Sequence, residues 1–112
     1  MTLQEITMMV ESMGLPCAYR FFPEKKVPPL PFIVFYYPNN DDFSADNTNY
    51  VPILNLNVEL YTKSKDIELE DSVEAVLTEN GFYFEKTESY LPTEHMYEVL
   101  YEMQFIRSKD GK

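Results

Sequence analysis

The sequence predicts an α+β fold, a mainly antiparallel or mixed sheet with two helices on one face, in the order α-β-β-β-α-β-β. Three observations carry that expectation. Residues 50–61 alternate, with Tyr50, Leu54, Leu56, Val58 and Leu60 on one side and Asn55, Asn57 and Glu59 on the other, the period-2 pattern of a central strand with one buried face. Leu3, Ile6, Val10 and Met13 recur at spacings of three and four, as do Leu69, Val73, Val76 and Leu77, so two segments each present one apolar helical stripe. Near the end of the chain, Tyr97, Val99, Tyr101, Met103 and Phe105 alternate with Glu98, Glu102 and Gln104, a second half-buried strand.

Each element has its own local signal. Thr2 and Glu5 form a capping box in which the hydroxyl takes the amide three residues on and the carboxylate reaches back, so the first helix starts here and stops at Gly14 and Pro16. Residues 17–22 suit a short strand, and 23–31, with four prolines and two lysines, an extended loop. The run Phe32 to Tyr37 is apolar or aromatic without alternation, which predicts a strand covered on both faces. Residues 38–49 are dense in Asn, Asp and Ser and read as a long exposed loop, with Phe43 the odd aromatic in it. Asp66 or Ser64 caps the second helix and Gly81 ends it. Its outer face carries Asp66, Glu68, Glu70, Asp71, Glu74 and Glu79 with no base between the first and the last. Residues 82–91 and 96–106 make a closing hairpin around Pro92, Thr93 and Glu94, so 1–106 form one domain and 107–112 a polar tail expected to fray.

Composition bounds the function. In 112 residues, 19 acids against nine bases leave a net charge of −10, which repels phosphate backbones and argues against sequence-specific nucleic-acid binding. Cys17 is the lone cysteine, so no internal disulfide or cysteine-held zinc is expected, and no apolar run has the length of a signal peptide core or a membrane span. A soluble cytoplasmic protein is the expectation. Glycines at 14, 81 and 111 are too scattered for a phosphate-cradling loop, and no cofactor is expected.

Candidate chemistry is sparse. His95, beside Glu94 and near Glu98, has the parts of a general base, but no motif fixes a nucleophile beside it and a solvated turn histidine is the simpler reading. Cys17 reads as a structural thiol. Asp41, Asp42 and Asp46 lack the glycine and terminal glutamate of a calcium loop. The acidic helix is most simply a solvated surface. The alternative is a contact surface: Arg20, Lys25 and Lys26 of one copy against Glu70 and Glu74 of the next, in a head-to-tail association that closes into a ring. Phe43, with Asp42 and Asp46, is the other candidate contact.

Residues 28–34 (PPLPFIV), Asp42 to Asp46 with Tyr50, Val58 to Thr62, Glu79-Asn80-Gly81 leading to Phe84-Glu85-Lys86, and Met96 to Glu102 together resemble small tail-completion proteins of prophages of Gram-positive bacteria. The resemblance runs from about Cys17 to Phe105 and is a pattern of strand and turn residues, with no catalytic motif. It implies a fold similar to the tail terminator of phage lambda. It also implies a non-enzymatic ring subunit, hexameric in the virion, that caps the tail tube and meets the head connector. Its partners would be its own copies, the tail tube protein and connector proteins, with DNA passing through the ring. It would reside in the tail or neck of the virion, and in the host cytoplasm during assembly. Two rival readings are a generic host adaptor and a small hydrolase using His95 with Glu94 and Glu98.

Overall fold

The computed structural model describes residues 1–39, 43–45 and 49–108, the side chains of 43–45 and 49–51 excepted. The chain opens as the capping box predicts: Glu5 donates its N–H to Thr2 Oγ1 at 3.1 Å, and Thr2 donates its own to Glu5 Oε1 at 2.9 Å. Helix α1 (Leu3–Glu11) buries Ile6, Met9 and Val10, with Leu3 and Met13 flanking them. Strand β1 (Cys17–Tyr19) stops short of the predicted Phe22 because Arg20 takes φ 71° and turns the chain out of the sheet. The proline-rich loop holds one 3-10 turn, Glu24–Lys26, before β2 (Phe32–Tyr36).

The stretch expected to be a loop contains a separate two-stranded ladder, β3 (Phe43–Ala45) against β4 (Asn49–Val51). The predicted strand over 50–61 is accordingly two strands. Pro52, which has no N–H to give a ladder, divides β4 from β5 (Ile53–Thr62). Helix α2 (Ile67–Glu79) starts where Leu69 donates its N–H to Asp66 Oδ1 at 3.0 Å. It ends in a Schellman motif: Gly81 N–H bonds Thr78 O at 2.9 Å, Phe82 N–H bonds Leu77 O at 3.0 Å, and Gly81 supplies the φ of 84°. Phe82 is thereby folded into the core rather than into the hairpin, so β6 (Glu85–Leu91) starts three residues later than expected. Strand β7 (Met96–Ile106) closes the chain, and the backbone N–H groups of Arg107 and Ser108 are still held, by Pro52 O and Met1 O.

The main sheet has the order β1-β2-β5-β7-β6, with β1 and β2 parallel and every other pair antiparallel. Strand β5 is central, and its ten residues all pair with β7. One parity of the strands, Ile33, Phe35, Leu54, Leu56, Val58, Leu60, Val99, Tyr101, Met103 and Phe105, packs with Ile6, Met9 and Val10 of α1 and Val73 and Leu77 of α2. Both helices therefore share one core on one face of the sheet, each fully buried aliphatic side chain contributing about 1.5–3 kcal/mol. The doubly apolar β2 has its explanation on the other face. Phe32 and Val34 point away from the helices yet are only 8% and 6% exposed. The loop's Phe22 stands edge-on to Phe32 at 5.2 Å, and Tyr61 flanks the same ring at 5.3 Å.

Candidate functional site

With both helices on one side, the second parity of the strands forms a helix-free face, and the register sets it out in rows. Phe32, Tyr61, Glu98 and Ser89 lie across the sheet in one row; Val34, Glu59, Leu100 and Thr87 in the next; Tyr36, Asn57, Glu102 and Glu85 in a third. Asn55 opposite Gln104 continues it. The face thus grades from apolar at β2 to acidic at β7 and β6. These strand positions supply four carboxylates, Glu59, Glu85, Glu98 and Glu102, and no lysine or arginine. Arg20 approaches at the β1 rim, its guanidinium 5.7 Å from the Tyr36 ring centre.

Glu59 is the best-held acid of the four. Tyr36 donates its hydroxyl to Glu59 Oε2 at 2.9 Å and Tyr61 to Oε1 at 2.7 Å, while Asn57 donates to the Tyr36 oxygen at 3.3 Å. Tyr61 also reaches Glu98 at 3.4 Å. Burial, then the neighbouring Glu59, push the Glu98 carboxyl above its ordinary value, and the phenols of Tyr36 and Tyr61 rise through burial and the same acids. Tyr61 thus bridges two carboxylates that have no ion pair among the described residues, and the charged form of Glu98 is the one disfavoured.

Where this face meets the α2–β6 connection, a cleft of about 850 Å³ opens. Asn57, Gln104, Glu102 and Glu85 line it from the sheet, and Tyr83 and Phe84 from the connection. Tyr83 is 96% exposed, so the cleft offers aromatic and acidic surface together.

The sequence-predicted contact residues fall in three places. Lys25 and Lys26 stand exposed on the 3-10 turn and make no ion pair among the described residues. Glu70 and Glu74 do not belong to a free acidic face, which corrects the expectation for α2. Glu70 is 1% exposed and forms ion pairs with Lys65 and Lys86 at 2.9 Å each, and Glu74 pairs with Lys86 at 2.6 Å and accepts the Tyr101 hydroxyl at 2.9 Å. The neutralising lysines come from outside the helix, so its own run of acids did not reveal them. Lys65 also pairs with Glu88 of β6. Asp41, Asp42 and Asp46 lie outside the described residues, as does the side chain of Phe43.

His95, Glu94 and Glu98 are not joined by hydrogen bonds. His95 sits exposed in the β6–β7 turn at φ 54° and bonds neither Glu94 nor Glu98, while Glu98 turns to Glu59 and Tyr61. Cys17 is half-buried, and burial followed by Glu11 raises its thiol, the opposite of activation. Among the described residues no group of His, Cys, Asp and Glu is placed to hold a metal, and no helix is long and apolar enough to cross a membrane. Sequence reasoning missed Tyr83 and Glu85 as site residues. Glu102 and Asn57 were legible as outward-facing, but their meeting depends on strand register.

No protein-family model matches the chain, and no curated protein matches it in sequence. Its α+β fold is similar to that of a chain in the virion of a native gene transfer agent particle, at a TM-score of 0.59 and 13% identity, over 91% of this chain and 85% of that one.

Proposed function

We propose that this chain is a structural, non-enzymatic subunit of a phage-type virion, one member of a ring that caps the tail tube and joins it to the head connector. The observation that carries this reading is the fold likeness to a virion chain over nearly the whole length of both. It agrees with the tail-completion pattern in the strands and turns. The partners would be further copies, six to a ring, the tail tube protein and the connector, in the virion and in the host cytoplasm during assembly. A chain of net charge −10 also suits a ring through which DNA slides without adhering.

Deletion of the gene from the phage or prophage genome that carries it, followed by electron microscopy of the lysate, tests the reading. Filled heads beside unattached tails are expected, with tails of irregular length where termination itself fails. Intact virions in normal numbers would overturn the proposal in favour of a host adaptor.

A further inference from the structure

Two surfaces of this chain are complementary: the turn beside β1, at one edge of the sheet, and the cleft that reaches β6 at the other. The first is the segment between β1 and β2, beside one edge. It concentrates Arg20, Lys25 and Lys26, three of the nine bases in the sequence, and it exposes Phe21 (70%) and Val27 (54%) beside them. Apolar side chains set out in water next to lysines that have no ion partner among the described residues are not explained by the stability of the subunit. The second is the cleft that runs from β5 across β7 to β6, the opposite edge strand, where Glu85 and Glu102 face out next to the exposed Tyr83 and the half-buried Phe84 and, among the described residues, no lysine or arginine contributes to the lining.

We propose that the cleft receives the Arg20–Val27 segment of a second copy of this chain, Lys25 and Lys26 against Glu85 and Glu102, with Phe21 or Val27 against Tyr83 and Phe84. Three features favour a second copy over other occupants. Both halves are present in every molecule, and each carries an apolar and a charged component, with the charges opposite. They are also distinct surfaces, so the contact is heterologous: each copy gives its turn to one neighbour and its cleft to another, the arrangement that closes a ring where the rotation permits. Net repulsion between copies of charge −10 disfavours other pairings, which makes the one juxtaposition of opposite charges selective. This contact replaces the acidic helix α2 as the receptor for the lysines, since Glu70 and Glu74 are already neutralised within the subunit. Its setting rests on the ring-subunit reading above; the contact itself is tested separately.

The test is sedimentation velocity of the full chain over a concentration series to about 1 mM at low salt, with circular dichroism melts as a folding control. Wild-type chain should self-associate. Lys25→Glu/Lys26→Glu, on an exposed turn where folding is not at stake, should weaken association at least about tenfold, and Glu85→Lys/Glu102→Lys should do the same. The quadruple variant combining both changes restores opposite charges with signs exchanged and should regain association. A wild-type chain that stays monomeric throughout, a lysine-reversal variant that associates like wild type, or a folded quadruple variant that does not recover would each overturn the contact. Normal virions from the gene deletion would remove the virion role while leaving this contact standing. Failure of the charge exchange would remove the contact while leaving the virion role.

Discussion

The two carboxylate groups of this molecule are chemically alike and are treated in opposite ways. Glu70 and Glu74 of α2 sit over β6 and β7, where Lys65 and Lys86 pair with them and Glu74 accepts the Tyr101 hydroxyl. Glu59, Glu98, Glu102 and Glu85 spread over the other side of the sheet, on β5, β7 and β6, with tyrosines and amides but, among the described residues, no lysine. In the first group two lysines have been spent to neutralise the acids inside the subunit, and their pairing pins the helix to the sheet edge. In the second the charge is left outward. The difference teaches where to look for a partner: charge that the fold has neutralised belongs to the fold, and the charge of Glu85 and Glu102, left in a cleft beside the exposed Tyr83, is the surface to test for one.

The largest test of this contrast is truncation on each side. Glu70→Ala should destabilise the chain by about 2–3 kcal/mol in urea denaturation. Breaking a buried ion pair typically costs about 3–5 kcal/mol. The loss here should be smaller because Lys65 and Lys86, at 38% and 35% side-chain exposure, can turn to water. Glu102→Ala on the helix-free face should stay within about 0.5 kcal/mol of wild type, as surface changes do. Equal losses at the two sites would break the comparison.

A finer test uses the tyrosines, because both groups bind carboxylate through phenol. Tyr101→Phe removes the hydroxyl given to Glu74 from a fully buried ring and should cost about 1 kcal/mol. Tyr36→Phe leaves Glu59 still holding the Tyr61 hydroxyl and should cost less than about 0.5 kcal/mol. Thermal melts of the two variants side by side would decide it, and a larger loss for Tyr36→Phe would mean that the outward network holds the subunit together.

The sequence made the framework of this contrast legible and hid its chemistry. The capping box at Thr2, the stripe through Val73 and Leu77, and the alternation in β5 and β7 are local patterns, and local patterns suffice to place two helices over one face of a sheet. The identity of the cleft is non-local. Glu85 meets Glu102, and Glu102 meets Asn57, only through the register of three strands separated in sequence by a helix and a hairpin. The same holds for Glu70: nothing in residues 66–79 announces that lysines 65 and 86 will close on it. The strand boundaries that shifted did so for backbone reasons. Arg20 turns out of β1 at positive φ, Pro52 interrupts a run whose side-chain alternation is otherwise continuous, and the Schellman turn at Gly81 folds Phe82 into the core.

The smallest expected effect concerns pH, where the two groups should have opposite signs. For Glu70, burial pushes the carboxyl up, but Lys65 and Lys86 together outweigh it and hold it below its ordinary value. A depressed folded value means stability that is present above the unfolded value, about 4.3, and lost as the pH falls through the folded one. For Glu98, burial and Glu59 raise the folded value, so its contribution is fully present below the unfolded value and is lost as the pH rises through the folded one. Neutral pH therefore leaves the helix-side acid stabilising and the outward acid costly. Glu98→Gln keeps an acceptor for Tyr61 and removes the repulsion with Glu59, so at pH 7 it should add about 0.5 kcal/mol. The gain should vanish once the pH falls below the unfolded carboxyl value, where wild-type Glu98 is itself protonated. Urea titrations of both chains at pH 7 and pH 4 measure this directly. A gain that persists at pH 4 would trace to packing, and a loss at pH 7 would mean that the outward acids are neutralised within the subunit after all.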